Sequence, residues 1–200
     1  TRTWERLTSD APVSRVRQTV REGRDLMRAL MLARLPADLR GARVLDAGCG
    51  TGAMSEELAK RGASVVAADI SPKLVAIAQD RLPAALRQQV SFHAGDMTDP
   101  ALGAFDAVVA MDSLIYYSAD DIARTLHGLA RRSGRVIFTV APRTPLLMVM
   151  WNAGKLFPRG DRSPVMIPHS LKALSRATGP GLAAVGRIAG VSNAAHPAFS

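Results

Sequence analysis

The chain has 200 residues, 48% apolar and 22% charged, which suits one soluble globular domain and excludes collagen-like, coiled-coil and disordered classes. Its single cysteine excludes an internal disulfide and points to a reducing, cytoplasmic compartment. A net charge of +9 admits nucleic acid, an anionic membrane surface or a small anionic substrate; the first is disfavoured, because no aromatics interleave with the arginines and no zinc-finger or RNA-binding signature is present.

In chain order, Val16, Val20, Met27, Leu30 and Met31 recur at helical spacing, which predicts an amphipathic helix over 14–35, stopped by Pro36. Residues 1–43 hold ten of the 26 basic residues. Four of them, Arg17, Arg21, Arg24 and Arg28, keep helical spacing and read as a solvated helix face. No charged-then-apolar leader follows Thr1, so no secretory signal is expected, and no apolar run reaches the roughly 20 residues that cross a bilayer. Strand-like runs at 43–46, 64–69, 90–93, 105–111 and 135–140 alternate with helical runs at 53–60, from Pro72, and at 120–131. Ser71 and Pro72 are the favoured cap and first residue of the second of these helices. The alternation predicts an α/β fold with a mostly parallel sheet flanked by helices. It breaks at 142–168, where prolines, the apolar run Leu146 to Trp151 and several basic residues predict a helical insert lying over a site. One domain is expected: a helical cap (1–42), a cofactor-binding core (43–141), the insert (142–168) and a C-terminal part (169–200).

The stretch Val44-Leu45-Asp46-Ala47-Gly48-Cys49-Gly50-Thr51-Gly52 runs a buried strand into three alternate glycines and a helix. Glycine lets the backbone turn tightly and lets a ligand approach it closely. The spacing is GxGxG, not the GxGxxG of dinucleotide binders. Asp46, ahead of the glycines, suits a cationic amino-acid group, whereas a pyrophosphate would be repelled. Asp69 ends the second strand, placed to accept hydrogen bonds from ribose hydroxyls. Ile70 beside it suits an adenine face, and Asp96 after the third strand suits the adenine amino group. Met111, ending the fourth strand, is a further expected contact. Cys49 reads as a packing residue. This set resembles the class I methyltransferases with their Rossmann-like fold. The resemblance implies S-adenosylmethionine as cofactor, contacted at Gly48, Gly50, Asp69, Asp96 and Met97, and S-adenosylhomocysteine as product.

The carboxyl ends of parallel strands face the ligand crevice, so an acceptor is expected near Asp112-Ser113-Leu114-Ile115-Tyr116-Tyr117. No Asn-Pro-Pro-Tyr motif is present, which argues against methylation of an amide or an exocyclic base nitrogen. Phe138-Thr139-Val140-Ala141-Pro142, Gly154-Lys155-Leu156-Phe157-Pro158-Arg159 and Arg162-Ser163-Pro164-Val165-Met166-Ile167-Pro168-His169, taken with the opening residues from Trp4, resemble the magnesium-protoporphyrin IX O-methyltransferase family over about residues 1–175. The resemblance implies methyl esterification of one propionate of magnesium protoporphyrin IX in bacteriochlorophyll and chlorophyll biosynthesis. It also implies contact with the porphyrin-carrying subunit of magnesium chelatase and peripheral association with the photosynthetic membrane. Tyr116 is the expected hydrogen-bond donor to the acceptor carboxylate. His169 is a second catalytic candidate: it could meet the porphyrin magnesium, orient a carboxylate or accept a proton, with helix capping as its plainer reading. Tyr117, Arg143, Trp151, Arg159 and Arg162 are the expected substrate contacts, since aromatic surface and guanidinium groups suit an apolar plate with anionic arms. No protein-held metal is expected. The rival readings are an O-methyltransferase of another acidic or phenolic small molecule, and a porphyrin-binding carrier module.

Overall fold

The structure, a computed structural model, describes residues 15–141 and 167–178. Five strands, β1 (Arg43–Ala47), β2 (Ser64–Asp69), β3 (Val90–Ala94), β4 (Ala107–Ala110) and β5 (Val136–Phe138), pair in parallel in the order β3-β2-β1-β4-β5. Five α-helices are described: α1 (Arg15–Leu32), α2 (Ala53–Lys60), α3 (Pro72–Arg81), α4 (Ala119–Ala130) and α5 (Leu171–Thr178). The expected α/β architecture with a parallel sheet is therefore present, and most of the predicted insert, residues 142–166, lies outside the described residues.

Strand residues alternate sides, so a sheet covered on both faces divides the core in two. Val44, Val65, Ala67, Ala107 and Val109 face one cluster with Met31 and Leu32 of α1 and Met54 and Leu58 of α2. Leu45, Ala47, Val66, Ala68, Val108 and Ala110 face the other, with Ile122, Leu126 and Leu129 of α4 and Leu174 of α5. The short inner strands are β-branched or alanine-rich because neither face meets water.

Local signals set most boundaries. Ser71 accepts from the Leu74 N–H and Pro72 opens α3, as predicted. Ser118 caps α4 by accepting from the Asp121 N–H, starting that helix one residue before the predicted Asp120. α1 ends at Leu32 rather than Leu35, because a residue before proline disfavours the helical region. The chain leaves through short turns instead, Arg34 N–H to Met31 O and Leu35 N–H to Leu32 O, which bring Leu35 into the core. The strand order reverses direction between β1 and β4. A ligand crevice belongs at that switch point, outside the carboxyl ends of the two strands.

Candidate active site

β1 delivers the chain to a turn whose geometry only glycine accepts. Gly48 has φ +82°, and a Cβ there would stand 2.3 Å from Cβ of Ser113, three residues beyond the end of β4. The N–H groups of Gly48 and Cys49 both donate to Ala68 O, at 2.8 and 2.9 Å, which ties the turn to β2. The Gly50 N–H donates to Asp69 Oδ2 at 2.9 Å, and the Ser71 N–H donates to Oδ1 at 2.8 Å. One carboxylate thus holds both the glycine turn and the start of α3. Above Gly50 the space a side chain would fill is open.

Alternation turns Asp46 to the α1/α2 face of the sheet, where it is 1% exposed. The Ser55 hydroxyl on α2 donates to Asp46 Oδ2 at 2.5 Å. Burial nevertheless pushes the Asp46 carboxyl up to about 6: Ser55 and the charge of Arg28 oppose the rise, and the Asp69 charge adds to it. A buried acid raised this far is a poised acceptor for a cation. Cys49 is buried in the same turn, and burial raises its thiol far above the ordinary range, so it stays protonated and unreactive.

A cavity of about 420 Å³ opens over the turn, walled by Asp46, Gly48, Gly50 and Met111 from the sheet and by Arg24 and Arg28 from α1. Arg21 and Arg81 line it too. This corrects the solvated-face reading for Arg24 and Arg28, whereas Arg21 is exposed and the Arg17 side chain lies outside what is described. At about 100° per residue, Arg24 and the buried Met31 fall within about 20° of each other on the helix surface, so the arginine stripe overlaps the apolar stripe instead of opposing it. That overlap was the available signal. Arg28 donates through Nη1 to Asp25 Oδ1 at 2.9 Å, while its buried Nε has no hydrogen-bond partner among the described residues. Ser55, on the first turn of α2, and Asp112 are further site residues that motif spacing did not single out.

The remaining expected contacts stand outside this cavity. Asp69 ends β2 and Ile70 follows it, 79% exposed. Asp96 and Met97 follow β3; Asp96 Oδ1 accepts from the N–H and hydroxyl of Thr98, both at 2.8 Å, and Met97 is buried. These residues extend the site along the carboxyl edge from β1 across β2 to β3. On the other side, Tyr116 is half-buried, and burial with the Asp112 charge raises its phenol above the ordinary range, with Arg24 opposing. Burial likewise raises Tyr117, helped by Asp96 and Asp121.

His169 has a different setting from the expected catalytic one. It is buried, its N–H donates to Ala141 O at 2.8 Å, and its ring Nε2 lies 2.8 Å from Tyr117 O. A carbonyl only accepts, so Nε2 carries the proton. With the Ile167 N–H donating to Ile115 O, this stitches 167–169 onto the loop bearing Tyr116 and Tyr117. Nor does His169 cap a helix: Ser170 does so, accepting from the Ala173 N–H. Arg143, Trp151, Arg159 and Arg162 lie outside the described residues.

Among known proteins, residues 110–194 match the family described as magnesium-protoporphyrin IX methyltransferase C-terminus, and residues 44–133 match a methyltransferase domain. The chain is 64% identical over 191 residues to a magnesium-protoporphyrin O-methyltransferase of Rhodobacter capsulatus, covering 94% of this chain and 85% of that one. It is 34% identical over 171 residues to a magnesium-protoporphyrin O-methyltransferase of Synechocystis, covering 83% and 74%. A crystal structure of magnesium protoporphyrin IX methyltransferase from Synechocystis with bound SAH superposes with a TM-score of 0.71 at 32% identity, covering 87% of this chain and 80% of that one. A second crystal structure of that enzyme, with bound SAM, gives 0.67 at 28% identity, covering 87% and 76%.

Proposed function

The chain belongs to the magnesium-protoporphyrin IX O-methyltransferase family, and from that premise we propose that it esterifies one propionate of magnesium protoporphyrin IX with the methyl group of S-adenosylmethionine. The products are the monomethyl ester and S-adenosylhomocysteine, a step of bacteriochlorophyll and chlorophyll biosynthesis. What carries the reading is the high identity along nearly the whole chain, matched by a crevice whose chemistry suits this cofactor.

Asp46 offers a buried carboxylate to the cationic amino-acid end, and the Arg28 Nε offers a buried donor to its carboxylate. Gly48 and Gly50 allow close approach, with Met111 in the wall behind them. Asp69 serves the ribose hydroxyls; Ile70, Asp96 and Met97 serve the adenine. When bound, the cofactor supplies an electrophilic methyl group on a sulfonium.

A propionate is already ionised near neutral pH, so the chain's task is to bind, align and exclude water rather than to remove a proton. Tyr116 keeps its phenolic proton because burial and Asp112 disfavour its loss, and it donates to the acceptor carboxylate. His169 acts through the Tyr117 carbonyl, fixing the loop that carries both tyrosines. Tyr117 meets the porphyrin, as do Arg143, Trp151, Arg159 and Arg162, whose aromatic and guanidinium groups suit a flat apolar plate and its anionic arms.

Two finer expectations belong to the same proposal: contact with the porphyrin-carrying subunit of magnesium chelatase, and peripheral association with the photosynthetic membrane from the cytoplasmic side. The net charge of +9 and the exposed Leu26 and Leu30 on α1 support an anionic surface as partner. Among the described residues, no helix is long and apolar enough to cross a membrane.

The test mixes the protein with S-adenosylmethionine and magnesium protoporphyrin IX and resolves the pigments by chromatography and mass. A gain of one methyl group that requires both protein and cofactor is expected. Cofactor binding without methylated pigment would refute the acceptor, and no binding of either would refute the whole reading.

A further inference from the structure

Within the described residues Asp112 alone, glycines aside, holds a positive φ, at 58°. A side chain there is strained, and such residues persist where the surroundings force them. The forcing group is visible: the Asp112 N–H donates to Thr139 Oγ1 at 2.8 Å, and Thr139 is buried after β5. The strained residue stands just beyond the end of β4, at the switch point, and its Oδ2 lies 3.5 Å from Nε of Arg24. Tyr116, four residues on, senses both charges.

The pair is loosely made. Its separation exceeds the roughly 2.7–2.9 Å of a charge-assisted hydrogen bond, and both side chains are about a third exposed, at 31% and 29%. Screening at that exposure leaves little stabilisation to account for a strained backbone. A guanidinium steered at its Nε keeps the planar shape that suits a carboxylate. Arg24 and Arg28 lie one turn apart on α1, so the helix sets two guanidiniums along the crevice. Arg28 acts electrostatically on Asp46 in the glycine turn, and Arg24 reaches the end of β4 beside Tyr116.

We propose that Arg24 is the recognition group for the acceptor's carboxylate and that Asp112, held at its positive φ by Thr139, is the positioning residue that aims it. This rests on the functional reading above. Asp112 cannot meet an anionic acceptor itself, since like charges repel; its charge steers Arg24 and helps the Tyr116 phenol keep its proton. The cavity wall, with four arginines against three acids, has positive charge to receive the acceptor's anion. A carboxylate gripped between Arg24 and the Tyr116 hydroxyl would be fixed in orientation at the β4 end of the crevice, which is what alignment-limited methyl transfer demands.

The experiment compares binding of magnesium protoporphyrin IX with that of its dimethyl ester, which lacks the carboxylates, by absorbance titration. It adds steady-state kinetics with the free acid and calorimetry with S-adenosylhomocysteine. Wild type is expected to prefer the diacid by roughly tenfold or more, the value of one charged hydrogen bond. Arg24→Met should lower that ratio several-fold, the remaining polar groups still favouring the free acid, and raise KM by a similar factor, with S-adenosylhomocysteine affinity within about twofold of wild type. Arg24→Lys should keep part of the preference. Asp112→Asn tolerates the same φ but removes the charge, so kcat should fall while KM does not rise. An Arg24→Met enzyme with unchanged ester preference and KM would overturn the proposal. So would a parallel loss of S-adenosylhomocysteine affinity, because Arg24 would then serve the cofactor. Asp112→Asn with wild-type kcat would remove Asp112's part. Failure of the wild type to methylate the pigment at all would defeat the functional reading and this inference with it, which separates the two failures.

Discussion

Asp46→Asn should make the protein more stable and a worse enzyme, in a way that depends on pH. Burial raises the Asp46 carboxyl from 3.8 to about 6. A folded-state value above the unfolded one means the folded chain binds the proton more tightly, so the stabilisation is full below pH ~4 and is lost as pH rises through about 6. By pH 7.5 ionising Asp46 has cost the fold about 3 kcal/mol, at 1.36 kcal/mol per pH unit. Asparagine is neutral at every pH and still accepts from the Ser55 hydroxyl. The gain at pH 7.5 is about 3 kcal/mol, or roughly 6–12 °C in Tm for a domain of this size. At pH 5 about half of the wild-type penalty has already gone, so the gain should shrink by about half. Thermal unfolding of both proteins at pH 5 and 7.5, each without cofactor, reads these differences. Calorimetry with S-adenosylmethionine at pH 7.5 should show roughly 10- to 100-fold weaker binding, the loss of a charged hydrogen bond. Either of two results would refute the reasoning: an Asn variant less stable than wild type at pH 7.5, or a gain that does not diminish at pH 5.

Three further expectations follow from single contacts. Gly48→Ala places a Cβ 2.3 Å from Ser113 Cβ at φ +82°, so it should cost roughly 3 kcal/mol and abolish S-adenosylhomocysteine binding; an intact Tm would show that the turn can move. Thr139→Val removes the acceptor of the Asp112 N–H; stability should drop by about 1–3 kcal/mol and kcat should fall, and unchanged values for both would mean the strained loop needs no anchor. His169→Gln keeps a donor for Tyr117 O, so it should retain most of kcat where His169→Ala loses it, with the pH–rate profile unchanged in shape. Loss of one limb of that profile in His169→Gln would instead reinstate the imidazole as a proton carrier.

Much of this protein was legible in one dimension because the relevant physics is local. Three alternate glycines after an apolar strand demand a tight turn wherever they occur. Ser71-Pro72 starts a helix by satisfying orphan N–H groups and pre-setting φ. The alternation of strand-like and helix-like runs leaves few arrangements other than a parallel sheet. The positions of the expected cofactor contacts could be read for the same reason, since Asp46 and Asp69 stand at the carboxyl ends of β1 and β2, and Gly48, Gly50 and Asp96 come just after β1 and β3. The motifs around Thr139, Arg159 and His169 carried the resemblance that the comparisons bear out.

What sequence could not settle is whatever depends on which elements meet. Arg24 and Arg28 looked like ordinary solvated charges, because a helix does not state which of its stripes is covered; only packing Met27 and Met31 against the sheet rolls the arginines over the crevice. Asp112 carries no motif, and its strain exists only because β5 brings Thr139 beside the end of β4. His169 was open to several roles in sequence, and only the fold sets its ring Nε2–H to donate to the Tyr117 carbonyl, 52 residues away. Asp46 is an unremarkable acid in the sequence and a poised one in the fold, because its acidity is set by water excluded from around it. Local pattern therefore determined the cofactor turn and the sheet, whereas burial, long-range hydrogen bonds and the facing of one helix decided how the acceptor side is built.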